Sequence, residues 1–400
     1  MTNTQPTRTQ PTVRSCPFDP PEEYRALREQ DPVVEVTFPD GATGWLVTRY
    51  EDVRAVLADP RFSSKVPLQR AGGPDMNDAP TPVPSPPPGM FLTMDAPEHT
   101  RFRRLLTGQF TVRRMRKLTP MVEKIVAEQL DAMAGAEGPV DLVHAFALPV
   151  PSLVICELLG VPYADREEFQ GNSATIVRLD SSPEEFQQAR AAMLGYIHQL
   201  VLAKRETPTD DILSELVHSG ELTDEELAGV GLLLLIAGHE TTANMIALST
   251  MCLLQNPEQL AALRADPSLM DSAIEELLRY LTIVQYGRPR RALEDLELNG
   301  RQIKEGSLVV ASLSSGNRDA AYLTEAPERL DVGRPYSPHL AFGHGIHQCL
   351  GQQLARVEMK AALSALLDRF PTLRLAVPVE QVPMRDDMVV YGVHELPVTW

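Results

Sequence analysis

Cysteine is scarce in this chain: Cys16, Cys156, Cys252 and Cys349 are the four in 400 residues. Their wide spacing in a long chain argues against a disulfide framework and fits a reducing compartment such as the cytoplasm. Cys156 and Cys252 fall in apolar helical runs and read as small core residues. Excess positive charge is also missing. Lys and Arg number 37 against 54 Asp and Glu, and the net charge of −17 argues against nucleic acid or an anionic membrane as partner of the whole molecule. No apolar run approaches bilayer length, the longest being Leu227 to Gly238. Met1 to Arg14 is polar and lacks the apolar stretch of a secretory leader. These absences predict a soluble, cytoplasmic, monomeric protein. An apolar fraction of 43% is ample for one large core, so a single domain over 16–400 is expected behind a disordered tail at 1–15.

What is present concentrates near the C-terminal end. In His339-Leu340-Ala341-Phe342-Gly343-His344-Gly345-Ile346-His347-Gln348-Cys349-Leu350-Gly351, glycine-rich turns lead through a Cys into a helical run, Gln352 to Phe370. A thiol at the first turn of a helix faces unpaired N–H groups and the positive end of the dipole. Both favour thiolate, so Cys349 is placed to be a metal ligand or a nucleophile. Gly343, Gly345 and Gly351 permit tight turns and the close approach of something flat.

A second focus is a long helix opened by Thr223-Asp224-Glu225-Glu226, with Thr223 and Glu226 in capping-box spacing. From Leu227 to Leu254 it is apolar on nearly all sides, which implies a helix through the centre of the protein. Its middle reads Ala237-Gly238-His239-Glu240-Thr241-Thr242. A buried Glu needs partners, and Thr beside Gly can bond the i−4 carbonyl and bend the helix open. Before these foci the chain reads as strands at Val33–Val36 and Trp45–Thr48, then a helix near Glu51–Ala58. An irregular Pro-rich loop follows, Lys65 to Gly89, of the kind that serves as a lid or binding loop. Helices are expected over Leu118–Met133, Leu148–Leu159, Arg166–Arg178, Pro183–Arg205 and Asp210–His218.

Smaller signals lie between. Asp95 is a cap candidate for a helix on which His99 and Arg103 share a face at i, i+4, and an exposed helix face is the alternative reading. Arg101 to Lys117 holds seven basic residues (101, 103, 104, 113, 114, 116, 117) and no acid, so it is either a solvated face or a docking site for an acidic partner. Glu276 and Arg279 sit one turn apart on an apolar helix. Arg288, Arg290 and Arg291 precede the acidic pair Glu294-Asp295 and short strands at Leu296–Leu298 and Leu308–Ser312.

Phe342-x-x-Gly345-x-x-x-Cys349-x-Gly351 resembles the haem-binding signature of the cytochrome P450 family, in which the Cys thiolate is the axial ligand of iron. Ala237-Gly238-His239-Glu240-Thr241 is similar to that family's oxygen-activation segment, and Glu276-x-x-Arg279 to its Glu-x-x-Arg pair. The resemblance implies a mainly α fold, the triangular helical prism with a long central helix and a small β-rich lobe. It implies haem b ligated by Cys349, with His99, Arg103, Arg290 and His347 on the propionates and Arg288 and Arg291 as runners-up to Arg290. Thr241 and Glu240 would handle the oxygen and its protons. Arg329 would complete the Glu276–Arg279 cluster, although Leu330 stands where the family often has Phe and the loop before it looks longer. The Arg101–Lys117 patch would receive ferredoxin, itself reduced by ferredoxin reductase, and Arg166–Arg205 would roof the substrate pocket. The activity implied is hydroxylation of a hydrophobic small molecule such as a macrolide, terpenoid or steroid with O2; epoxidation or oxidative coupling is the alternative. A zinc site of His344, His347 and Cys349 lacks a suitably spaced fourth ligand. A haem carrier or sensor would not need Glu240-Thr241.

Overall fold

The computed structural model describes residues 8–66, 87–323 and 325–400. The central helix is Asp224–Gln255, 32 residues and so about 48 Å long at 1.5 Å per residue. Thr223 Oγ1 accepts the Glu226 N–H at 3.2 Å and the Glu226 carboxylate accepts the Thr223 N–H at 2.9 Å, closing the capping box that the spacing predicts. By length and composition this helix could cross a membrane, contrary to the reading of its strictly apolar run. However, 78% of its most apolar window is buried inside the protein, as befits a core helix. Helices Pro149–Leu159, Pro183–Glu206 and Gln352–Arg369 pack against it, and Val112–Ala134 packs on the last of these. Together they enclose one large apolar core containing Phe102, Phe146, Ile246 and Leu363.

Beside the helices stands a six-stranded sheet, in the order Arg8–Thr9, Val33–Thr37, Thr43–Val47, Leu308–Ala311, Arg288–Ala292, Phe62–Ser63. Val33 pairs with Val47, and Trp45 with Val309. Arg288 pairs with Ala311 and Arg290 with Val309. Because side chains alternate along a strand, Arg288 and Arg290 share one face and Arg291 takes the other. A smaller sheet joins Val140–Asp141, Pro397–Thr399 and Arg374–Leu375. The mainly α architecture with a small β-rich lobe is therefore the one expected.

Two expectations change. The tail predicted to be disordered is ordered from residue 8. Arg8–Thr9 pairs with Val36–Thr37, Gln10 donates to Tyr24 Oη at 3.2 Å, and the Arg14 guanidinium lies 3.9 Å over the Tyr391 ring. Edge pairing and cation–π contact need no apolar sequence, so composition did not signal them. Arg288–Arg291, placed ahead of the expected short strands, itself lies in a strand, Arg288–Ala292. Most of the Pro-rich loop, 67–86, lies outside the described residues.

Candidate active site

The Cys loop folds on itself through the Cys349 N–H, which donates to Phe342 O at 2.8 Å. Gly345 has φ +73°, and a Cβ there would sit 2.5 Å from Leu57 O, so only glycine fits this approach to helix Tyr50–Ala58. Helix Gln352–Arg369 starts after Gly351, which places Cys349 two residues ahead of the N-cap and outside the first turn. Its sulfur meets the Gly351 N–H and the charges of Arg103 and Arg356, yet burial outweighs them and pushes the thiol up from its ordinary value. The first-turn placement read from the sequence therefore does not hold for Cys349. A coordinated cation deprotonates a thiol outright.

Behind the loop, Arg356 lies 4.6 Å over the Phe342 ring and binds Glu275 at 2.5 and 2.9 Å, while His339 reaches the same carboxylate at 3.2 Å. Burial raises the Glu275 carboxyl, but Arg356 and then His339 overcome it and hold the group at about 2. A carboxylate depressed in the fold stabilises it above the unfolded value of 4.5 and loses that contribution as pH falls towards 2. Urea unfolding should show stability declining over that window. Glu275→Gln should flatten the decline, and an unchanged slope would discount the Glu275 contribution.

In front of the loop, five cationic or imidazole side chains converge. His99 is 2% exposed with neither ring nitrogen partnered, and its ring centroid is 4.1 Å from that of His347, whose Nε2 is also buried and unpartnered. Burial, then the charge of Arg103, holds His99 down at about 4. Burial, then His99, Arg290, Arg288 and Arg103, holds His347 at about 3. Burial, then Arg288, pushes Arg290 down to about 9, against a weaker pull from Asp95. None of the five forms an ion pair among the described residues. One buried and two half-buried guanidinium groups beside orphaned imidazoles, without a carboxylate among the described residues, fit a dianionic group, as the two propionates of haem are. Arg291 instead donates to Gly306 O at 2.8 Å on the opposite face of the strand. Arg288 joins Arg290 here, a pairing that strand periodicity could have signalled.

The central helix is buried on both sides of a short uncovered stretch, where Ala237 is exposed and Ile236, Gly238 and Thr241 are half-buried. Thr241 Oγ1 donates to Ala237 O at 2.7 Å, the i−4 bond anticipated. Glu240 is 4% exposed, and its Oε2 accepts from Arg385 Nη2 at 2.9 Å. His239 donates from Nδ1 to Leu235 O at 2.7 Å, and its Nε2 lies 3.8 Å from Glu240 Oε1. Nothing in the sequence pointed to Arg385. Glu358 was legible but missed, falling four residues from both Leu354 and Ala362 on a buried stripe. It is 1% exposed against Thr242, and burial raises it far above the carboxylate range.

Two structural readings are corrected. Glu276 and Arg279 do pair at 2.7 and 2.8 Å, but the third member is Arg334, at 3.1 and 3.2 Å from the Glu276 carboxylate. Arg329 is exposed and contributes its carbonyl to Arg279 and Arg334. Asp95 does not cap its helix; it accepts from Ser63 Oγ at 2.5 Å and Ser64 N at 2.7 Å. The basic stretch is also less free than its composition suggests. Arg101 pairs with Glu226, Arg104 with Glu221 and Arg114 with Glu215, leaving Arg113, Arg116 and Lys117 exposed and without such partners among the described residues.

The sequence profile of cytochrome P450 matches residues 179–398. Cytochrome P450-SU2 of Streptomyces griseolus is 50% identical over 391 residues, 96% of this chain and 94% of that one. Vitamin D3 dihydroxylase of the same organism is 45% identical over 402 residues, 98% of this chain and 96% of that one. The crystal structure of CYP105P1 in complex with filipin I matches with a TM-score of 0.93 at 48% identity, covering 98% of this chain and 99% of that one. The profile covers the C-terminal half, relatives and fold agree along nearly the whole length, and the chain belongs to the cytochrome P450 family of haem-thiolate monooxygenases.

Proposed function

We propose that this enzyme inserts one oxygen atom of O2 into a C–H bond of a hydrophobic small molecule of the polyketide, terpenoid or steroid class, in the cytoplasm and as a monomer. The observation that carries the reading is the group His99, Arg103, Arg288, Arg290 and His347 in front of the Cys349 loop, which has no carboxylate partner among the described residues and suits the two carboxylates of haem. When bound, haem supplies electron acceptance, O–O cleavage and attack on the C–H bond.

The chain's own side chains do the rest. Cys349 Sγ would hold the iron as thiolate, and the three arginines with His99 and His347 would fix the carboxylate edge. Thr241 Oγ1 is engaged with Ala237 O and must turn from it to pass a proton; Glu240, its neighbour on the helix, resupplies that proton. The half-buried face at Ile236 to Gly238 leaves room for substrate and O2. Arg113, Arg116 and Lys117 offer the free positive charge that an acidic ferredoxin, reduced by ferredoxin reductase, would meet. Relatives named for vitamin D3 hydroxylation and a neighbour bound to filipin I support a large apolar substrate. Epoxidation and oxidative coupling would use the same residues.

The test is turnover with ferredoxin and reductase, using filipin I and vitamin D3 as first probes for a spin-state shift and an added oxygen. Thr241→Ala is expected to keep NADPH oxidation while product per NADPH falls about 10²-fold and hydrogen peroxide rises, at the lower end of acid–base contributions. Intact coupling in that variant would remove Thr241 from the proton path.

A further inference from the structure

The acid of the central helix is not free to exchange protons: Arg385 holds it. We propose that Arg385 is a positioning residue that restrains the Glu240 carboxylate until the roof of the pocket moves, so that substrate binding releases the proton path. The proposal rests on Glu240 and Thr241 forming that path, and it adds what governs it.

The pair is well built. Glu240 Oε2 and Arg385 Nη2 are 2.9 Å apart, with side chains 6% and 10% exposed. Charge-assisted bonds in such surroundings are strong, and a carboxylate so held is kept in one orientation. Arg385 comes from the C-terminal hairpin, whose arms are joined by the Arg385 N–H to Gly392 O at 2.9 Å and the His394 N–H to Pro383 O at 2.8 Å. The far arm is seated on the same helix. A Cβ on Gly392 would collide with Asn244 Oδ1, and Asn244 Nδ2 donates to Glu240 O at 2.7 Å. The hairpin thus grips the central helix at two points one turn apart.

Its tip is tied elsewhere. The Leu179 N–H donates to Asp387 O at 2.9 Å and the Val389 N–H to Val177 O at 3.1 Å, with Arg178 bridged to Met388 between them. Val177 ends helix Arg166–Val177, one of the two helices expected to roof the pocket. Only Asp386 separates Arg385 from Asp387. Displacement of the roof therefore reaches the Arg385 guanidinium through two backbone hydrogen bonds and two peptide units, a contiguous path to one ion pair.

The experiment uses the haem-loaded enzyme with ferredoxin, reductase and NADPH. Without substrate, Arg385→Gln is expected to raise NADPH oxidation to peroxide about 10²-fold and to shrink the solvent deuterium isotope effect, the lower end of one acid–base contribution. Arg385→Lys, which keeps the charge, should stay near wild type. Hydrogen exchange should quicken in Arg385→Gln at the amides of Leu179 and Val389, a response that loss of proton delivery alone would not produce. Unchanged leak, isotope effect and exchange in a folded, haem-loaded Arg385→Gln would overturn the proposal. Should that variant not fold, Leu179→Pro carries the same prediction for the leak, the isotope effect and exchange at Val389. It removes the amide given to Asp387 together with the leucine side chain, and Arg178 already has the extended backbone (φ −76°, ψ 134°) that a following proline requires. If Glu240→Gln leaves the isotope effect unaltered, the underlying path is wrong; if it abolishes the effect while Arg385→Gln changes nothing, the restraint alone is wrong.

Discussion

Cys349→Ala should yield a folded protein whose reduced carbon monoxide complex lacks the far-red-shifted Soret band of thiolate-ligated haem, with turnover lower by at least about 10³-fold, the scale on which loss of an essential group acts. The fold should survive because the hydrogen bond closing the loop, from the residue 349 N–H to Phe342 O, belongs to the main chain. No other sulfur can substitute. Cys156 and Cys252 are 2% and 0% exposed in the helical core, and burial raises both thiols. Cys16, half-buried on the N-terminal segment, hydrogen-bonds locally and is also raised by burial. A retained red-shifted band would sink the assignment of Cys349.

Glu276→Ala should be the most destabilising single change away from the haem. The carboxylate, 2% exposed, is shared by Arg279 and Arg334, whose side chains are 4% and 9% exposed. Removing it leaves two buried guanidinium groups facing each other, and breaking a buried pair from one side typically costs about 3–5 kcal/mol. The damage should spread to the Cys loop along a short path. Arg279 Nη1 donates to Asn317 O at 2.8 Å, and Asn317 Oδ1 accepts the Leu340 N–H at 2.7 Å at the start of that loop. Urea unfolding of the apoprotein should show the loss, and the purified variant should carry little haem. Glu276→Gln, which keeps two acceptor positions' worth of shape but one oxygen, should fall between. A midpoint shift worth under about 1 kcal/mol in Glu276→Ala would mean the network is a passenger.

Local signals were the legible ones. The capping box at Thr223, the apolar length of the central helix, the i−4 bond of Thr241 and the i, i+4 pairing of His99 with Arg103 are written in neighbouring residues. What joins distant segments was not. Arg385 lies 145 residues from Glu240, and no spacing rule links a hairpin arginine to a helix acid. Arg334 displaced Arg329 because loop length, not residue type, decides which guanidinium reaches Glu276. The neutralised part of the basic stretch was hidden for the same reason, since Glu215, Glu221 and Glu226 come from segments a hundred residues further on. Glu358 was readable as an acid on an apolar stripe, and needed only the helix to be drawn.

The alternation of Arg288, Arg290 and Arg291 also governs which genetic changes this enzyme can tolerate. Gly287, at φ +83° and with no room for a Cβ beside Ala311 O, fixes where the strand begins. A point substitution at Arg288 or Arg290 removes one charge and leaves its neighbours in place. Insertion of a single residue between Gly287 and Arg288 would slip the register by one and turn both arginines away while bringing Arg291 in. Length variation among descendants of this sequence should therefore be nearly forbidden at that turn, even where individual arginines are allowed to drift.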